Sequence, residues 1–180
     1  MARFALSAIG RDRPGIVAGV SGVLLRHGAN IEDSRMAILG GHFTMMLIVS
    51  TAPGANVETL RGDLDSERNE LGLGAATLEE VSDEHGFTRP EPSHVVTVYG
   101  ADHAGIVHAV TRALADMGVN VLDVATHLAE EEGEEAIYAM FMELDLPEAV
   151  GGDRLESELR AVADREQLDL TIRAVDAEAL

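Results

Sequence analysis

The chain of 180 residues contains no cysteine, no tryptophan and no lysine. The first absence excludes disulfides, thiolate nucleophiles and cysteine-based metal sites together, while leaving the compartment open. The last leaves 13 arginines to face 32 acidic residues, for a formal charge of −19. Affinity for a phosphate backbone comes from clustered cations, so direct nucleic-acid binding is not expected. Aromatic residues amount to only 3%, with four Phe and two Tyr, against a hydrophobic fraction of 46%. The core must therefore be built from Val, Leu, Ile, Ala and Met. No apolar run approaches the roughly 20 residues that span a bilayer, and the first residues run straight into a strand-like pattern. No membrane partner is expected, and a cytoplasmic location is.

What the chain does contain is the same text twice. "GRDRPGIVAGVSGVLLRHGANIED" at 10–33 is echoed by "GADHAGIVHAVTRALADMGVNVLD" at 100–123, a shift of 90. Gly10/Gly100, Asp12/Asp102, Gly15/Gly105, Ile16/Ile106, Val17/Val107, Val20/Val110, Leu24/Leu114, Gly28/Gly118, Asn30/Asn120 and Asp33/Asp123 all match. A repeat of this quality is a duplication. The expected organisation is one domain over 1–84, a linker over 85–92 and a second domain over 93–180. The charge is uneven between the copies, since 1–90 hold 8 Arg and 12 acids whereas 91–180 hold 5 Arg and 20 acids. That surplus is either a solubilising surface or an acidic face for a basic partner protein.

Residues 3–9 alternate as a half-buried strand, and from Ile16 the period becomes helical, with Ile16, Val17, Val20, Val23 and Leu24 on one face up to His27-Gly28. Pro14 suits a first helical turn and Gly28 a left-handed C-terminal cap. Runs 30–39 and 42–51 read as strands joined by Gly40-Gly41, a pair suited to a two-residue hairpin turn. A helix over 56–71 and a strand over 75–82 close the unit. The second half repeats the order, with strand 94–100, helix 105–117, strands 120–128 and 135–144, helix 153–166 and strand 168–175. Its hairpin turn is "EEEGEE" at 130–135, read as a solvated turn or an electrostatic docking point. The fold class is α+β, two ferredoxin-like β-α-β-β-α-β domains with antiparallel sheets. Open sheet faces and edges invite either the sister unit or a second chain, and a homodimer is expected.

The matching residues concentrate where the first strand turns into the first helix and where the second strand begins. A helix N-terminus offers unpaired N–H groups and partial positive charge to an anion, and Gly15 and Gly105 permit close approach. Asp12 and Asp102 can cap those N–H groups or hold an ammonium group. Asn30 and Asn120 carry both a donor and an acceptor, or simply suit a turn after glycine. A carboxylate receiver, an ammonium receiver and an amide together would suit a free α-amino acid.

"D-R-P-G-I-V" at 12–17 with "G-A-N-I" at 28–31, and "D-H-A-G-I-V" at 102–107 with "G-V-N-V" at 118–121, resemble the ACT domain. The pair covers nearly the whole chain and resembles the tandem-ACT proteins of the glycine cleavage system transcriptional repressor family. The resemblance implies amino-acid binding at the loop before the first helix, often at an interface between two modules, with the signal passed to an enzyme or regulator. It implies one site from Gly10, Asp12, Pro14, Gly15, Ile16 and Asn30, and another from Gly100, Asp102, Ala104, Gly105, Ile106 and Asn120. Ala104 stands where the first loop has Pro14.

For enzyme chemistry there is no Cys, no G-x-S-x-G elbow, no P-loop and no dinucleotide fingerprint. His103 and His108 are five residues apart, which on a helix turns them about 140° from a shared face. His94 and His127 could join them only through the fold, and His27 and His42 read as ordinary, so neither a metal nor a cofactor is expected. Met36, Met45, Met46, Met140 and Met142 fall on strands as filler, with Met45 and Met46 on opposite faces. The expected function is a non-catalytic, allosteric amino-acid-binding regulator acting through a partner regulator or enzyme. The alternative is a regulatory subunit or adaptor of a metabolic enzyme.

Overall fold

The computed structural model describes residues 2–81, 90–129 and 136–175. The chain divides into two compact units, 1–87 and 88–180. Part of the 85–92 linker and the whole 130–135 turn lie outside the described residues.

The first unit runs β1 (Ala2–Arg11), α1 (Ile16–Arg26), β2 (Asn30–Leu39), β3 (His42–Thr51), α2 (Val57–Leu71) and β4 (Leu73–Val81). The second runs β5 (His94–Ala101), α3 (Ile106–Asp116), β6 (Asn120–Ala129), β7 (Ile137–Asp145), α4 (Gly152–Glu166) and β8 (Asp169–Ala174). Each builds a four-stranded antiparallel sheet, in the orders β2-β3-β1-β4 and β6-β7-β5-β8. This is the β-α-β-β-α-β order expected from the periodicity, with element ends shifted by a residue or two.

Alternation along the strands sends one face of each sheet to the helices. Phe4, Leu6 and Ala8 of β1 and Phe43, Met45, Leu47 and Val49 of β3 are buried, and they meet Ile16, Val20, Val23 and Leu24 of α1 and Leu60 and Leu64 of α2. Met45 is 4% exposed and Met46 54%, as opposite faces require. In the second unit Val96, Val98, Met140, Met142 and Leu144 of the sheet pack with Ile106, Val110, Leu114, Leu155 and Leu159 of the helices. The cores are mainly aliphatic, with Phe4, Phe43 and Met45 in the first and Met117, Met140 and Met142 in the second.

Glycine does the work at the turns. Gly28 and Gly118 adopt φ of 64° and 74° just after α1 and α3. Their N–H groups bond Leu25 O and Ala115 O at 3.0 Å, and the next residues' N–H groups bond Leu24 O and Leu114 O at 3.0 Å. That double bond pattern closes each helix in a Schellman motif. Gly40 and Gly41, at φ 56° and 77°, make the β2-β3 hairpin turn. Gly10 and Gly100 are needed for space instead, since a Cβ would stand 2.8 Å from Leu73 Cα and 2.5 Å from Leu168 Cδ2 respectively.

Pro14 departs from expectation. Helix α1 begins at Ile16 with Gly15 as N-cap at φ 99°, ψ −13°, so Pro14 precedes the cap instead of lying in the first turn. A left-handed residue cannot continue an α-helix backwards, and Gly15 therefore sets the boundary.

Leu24→Ala, at a site 1% exposed, is expected to lower stability by about 2–5 kcal/mol in urea unfolding. Gly10→Ala should cost about 1–3 kcal/mol, because its Cβ would press on backbone that cannot rotate away. Gly74→Ala, whose Cβ would meet only Ile9 O at 3.7 Å, should stay within about 1 kcal/mol of the parent in the same assay.

Candidate functional site

The loop from β1 to α1 is held on two sides. The Asp12 N–H donates to Gly41 O at 2.9 Å, tying it to the hairpin tip. Arg13 Nη2 donates to Glu70 O at 2.6 Å, tying it to the last turn of α2. The second unit reproduces both ties with different side chains. Asp102 N–H donates to Ala136 O at 3.2 Å, and His103 Nε2 lies 3.2 Å from Glu166 O at the end of α4. Arg13 and His103 thus act as anchors between loop and second helix, a role that sequence spacing does not disclose.

Neither α1 nor α3 has a side-chain N-cap or an acidic residue in its first turn. The capping role considered for Asp12 and Asp102 is therefore not realised in the structure. Both aspartates are exposed, and the Asp12 carboxylate has no partner among the described residues. The first-turn N–H groups keep their partial positive charge, with a free carboxylate a few residues away. Gly15 and Gly105 serve this arrangement through φ of 99° and 109°, not through crowding, since nothing lies within 4 Å of a Cβ at either.

Gly10, Asp12, Pro14, Gly15 and Ile16 thus share one end of the first unit, as Gly100, Asp102, Ala104, Gly105 and Ile106 share one end of the second. Asn30 and Asn120 do not join them. Asn30 pairs with Ser50 and Gly10 with Phe43, seven residues apart along β3. At a rise of about 3.3 Å per residue this is about 23 Å. Asn120 and Gly100 are separated in the same way, through Asp145 and Tyr138 of β7. The cause is topological: α1 runs back along the sheet, so β2 starts at the end opposite the loop. Asn30 instead lines a cavity of about 520 Å³ with Ala18, Ser21, Leu25 and Ile31, beside α1.

Tyr138 is a feature of the second unit that periodicity alone did not single out. It pairs with Gly100 as Phe43 pairs with Gly10. Its hydroxyl oxygen is buried and has no hydrogen-bond partner among the described residues. An unsatisfied buried polar group costs about 1–3 kcal/mol. The phenol is held above its ordinary pKa of 10.0, first by burial, against which the Thr126 side chain acts, and then by the negative charge of Asp102. Thr126 is thus the polar side chain beside the phenol.

The histidines do not converge. His94 Nδ1 lies 3.1 Å from Ser93 Oγ, His103 is the loop anchor, and the His127 ring packs edge-on at 6.5 Å from Phe141. His27 Nε2 meets Asp63 Oδ2 at 2.8 Å, joining α1 to α2. Among the described residues no group of three or more His, Asp or Glu side chains could hold a metal ion.

Comparison with known proteins gives the same two-part division. The ACT domain model matches residues 3–79 and again 94–174. A UPF0237 protein of Methanopyrus kandleri is 41% identical over 81 residues, covering 44% of this chain and 90% of the relative. The glycine cleavage system transcriptional repressor of Escherichia coli is 30% identical over 135 residues, 73% of this chain and 67% of the relative. Among solved structures, an unknown protein from Galdieria sulphuraria superimposes with a TM-score of 0.81 at 28% identity, over 97% of this chain and 99% of that one. With one match in each half, joined to the paired sheets and the repeated loop, the chain belongs to the ACT domain family as a tandem of two modules.

Proposed function

We propose that this ACT-domain regulatory protein binds free α-amino acids at its two strand-to-helix loops and passes the occupancy on to a protein partner. The observation that carries the reading is the repeated junction itself. An uncapped helix N-terminus and an exposed aspartate stand together in a loop anchored on both sides. The α-carboxylate would accept from the first-turn N–H groups of α1 or α3, and the α-ammonium would donate to Asp12 or Asp102. These are the two groups that every α-amino acid carries.

Asn30 and Asn120 lie about 23 Å from the loops of their own sheets. They would touch such a ligand only if another module, of the same chain or of a second copy, brought its loop to that end. A homodimer belongs to this reading as one way of bringing such a module to each site. The relative in Escherichia coli is named as a transcriptional repressor. Here the formal charge of −19 makes a direct grip on nucleic acid unfavourable, which favours action through a protein with a basic surface.

The size of the ligand bounds the affinity. A small amino acid has about 5–7 heavy atoms at no more than about 1.5 kcal/mol each. The ceiling is about 7.5–10 kcal/mol, a dissociation constant of about 3 μM to about 50 nM at best. Such a site responds to abundant metabolites.

Thermal melting with each of the twenty amino acids at millimolar concentration tests the reading. A selective rise in midpoint is expected, reaching about 2.7 kcal/mol of stabilisation at a hundredfold excess over the dissociation constant. Asp12→Ala combined with Asp102→Ala should abolish the rise while leaving the unliganded midpoint nearly unmoved, because the Asp12 carboxylate supports no fold contact. No rise with any amino acid, confirmed by calorimetry, would leave the adaptor role in its place.

A further inference from the structure

We infer that the two loop sites select different ligand side chains: the second module takes an amino acid with a hydrogen-bonding side chain and the first an apolar one, with Tyr138 and Thr126 determining the difference. The inference rests on the loops binding α-amino acids at all, and adds which kind each would hold.

The two sheets have the same register around these positions. Gly10 pairs with Phe43 and Met36 with Met45, two residues further along β3. Gly100 pairs with Tyr138 and Thr126 with Met140, two residues further along β7. The phenyl and thioether of the first module are thus replaced by a phenol and a threonine hydroxyl at corresponding places. Both exchanges go in the same chemical direction. Phe43 is 2% exposed and fits its apolar surroundings without a polar atom to satisfy. Tyr138 carries an oxygen that the protein buries and leaves without a partner.

The residue that carries the orphan oxygen stands at the loop end of the unit. Tyr138 faces Gly100 across the ladder, two residues before Asp102, and the Asp102 N–H bonds Ala136 O at 3.2 Å, two residues before Tyr138. The charge of Asp102 is felt at the phenol, and the Thr126 side chain approaches it. Thr126 is itself exposed while the phenol oxygen is closed to solvent, so a ligand would reach the phenol only as the Thr126 side chain turns aside. A ligand whose ammonium group sits on Asp102 would carry its side chain within reach of two hydroxyls. A hydroxyl or amide there completes the missing bond, whereas a methyl group leaves both unsatisfied.

The isosteric pair L-threonine and L-valine, with L-serine against L-alanine beside it, tests this when titrated calorimetrically into the full chain with one site disabled. Asp12→Ala isolates the second site and Asp102→Ala the first. The Asp12→Ala variant is expected to prefer threonine over valine and serine over alanine by about tenfold. The Asp102→Ala variant should show the reverse order or none. Adding Tyr138→Phe to Asp12→Ala should erase most of the preference while binding persists, and Phe43 at the matching position shows that the fold accommodates that ring. A preference that survives Tyr138→Phe, or the same order at both sites, overturns the inference while amino-acid binding stands. No binding of any of the four to either single-site variant overturns the inference together with the reading beneath it.

Discussion

In each module a strand must become a helix within four residues, and the left-handed backbone at Gly15 and Gly105 makes that turn possible. The consequences spread outward. A glycine N-cap brings no side chain to the first-turn N–H groups, so the positive end of the helix stays uncovered. The preceding residues are then free to reach sideways, Asp12 by its N–H to the hairpin tip and Arg13 by its guanidinium to the end of α2. The loop is fixed without using up the first-turn N–H groups or the Asp12 carboxylate. A serine or aspartate cap would have stabilised the helix and occupied the same donors.

The duplication separates what the fold requires from what a site requires. Gly28/Gly118 match because a Schellman ending needs positive φ, and Gly10/Gly100 match because a Cβ would crowd the Leu73 backbone in one unit and the Leu168 side chain in the other. Asp33/Asp123 share a local contact, since each carboxylate accepts the N–H of the following residue, Ser34 at 2.7 Å and Val124 at 3.1 Å. Positions 13 and 103 differ in chemistry, arginine and histidine, yet perform the same tie. Repetition of a residue is thus not the same as repetition of a role.

Much of the fold was legible because it is written in local periodicity: the change from period two to 3.6 at Ile16, the Gly40-Gly41 turn and the glycine after each first helix. The candidate loop was legible for the same reason, as one contiguous stretch. Asn30 was not, because its place depends on α1 doubling back along the sheet, and only the cross-strand register shows that it starts at the far end. The Arg13 anchor spans 57 residues and the His103 anchor 63, separations at which no spacing rule operates. Tyr138 required the register too, since a lone tyrosine in a strand reads as core until its oxygen is found without a partner.

The edge strands β2 and β6 share an interruption at the same place: the ladder slips between Ile31 and Asp33 and between Val121 and Asp123. Each slip leaves one residue unpaired, and in the first unit that residue, Glu32, meets Arg3 at 2.8 Å. An edge strand offers a row of free N–H and C=O groups on which further strands can polymerise. A bulge breaks that row into two segments of different phase, so a strand added along one segment falls out of step on the other. The slip therefore acts as a length limiter against runaway sheet growth, leaving the edge able to accept a short, fitted neighbour and poor at templating a fibril.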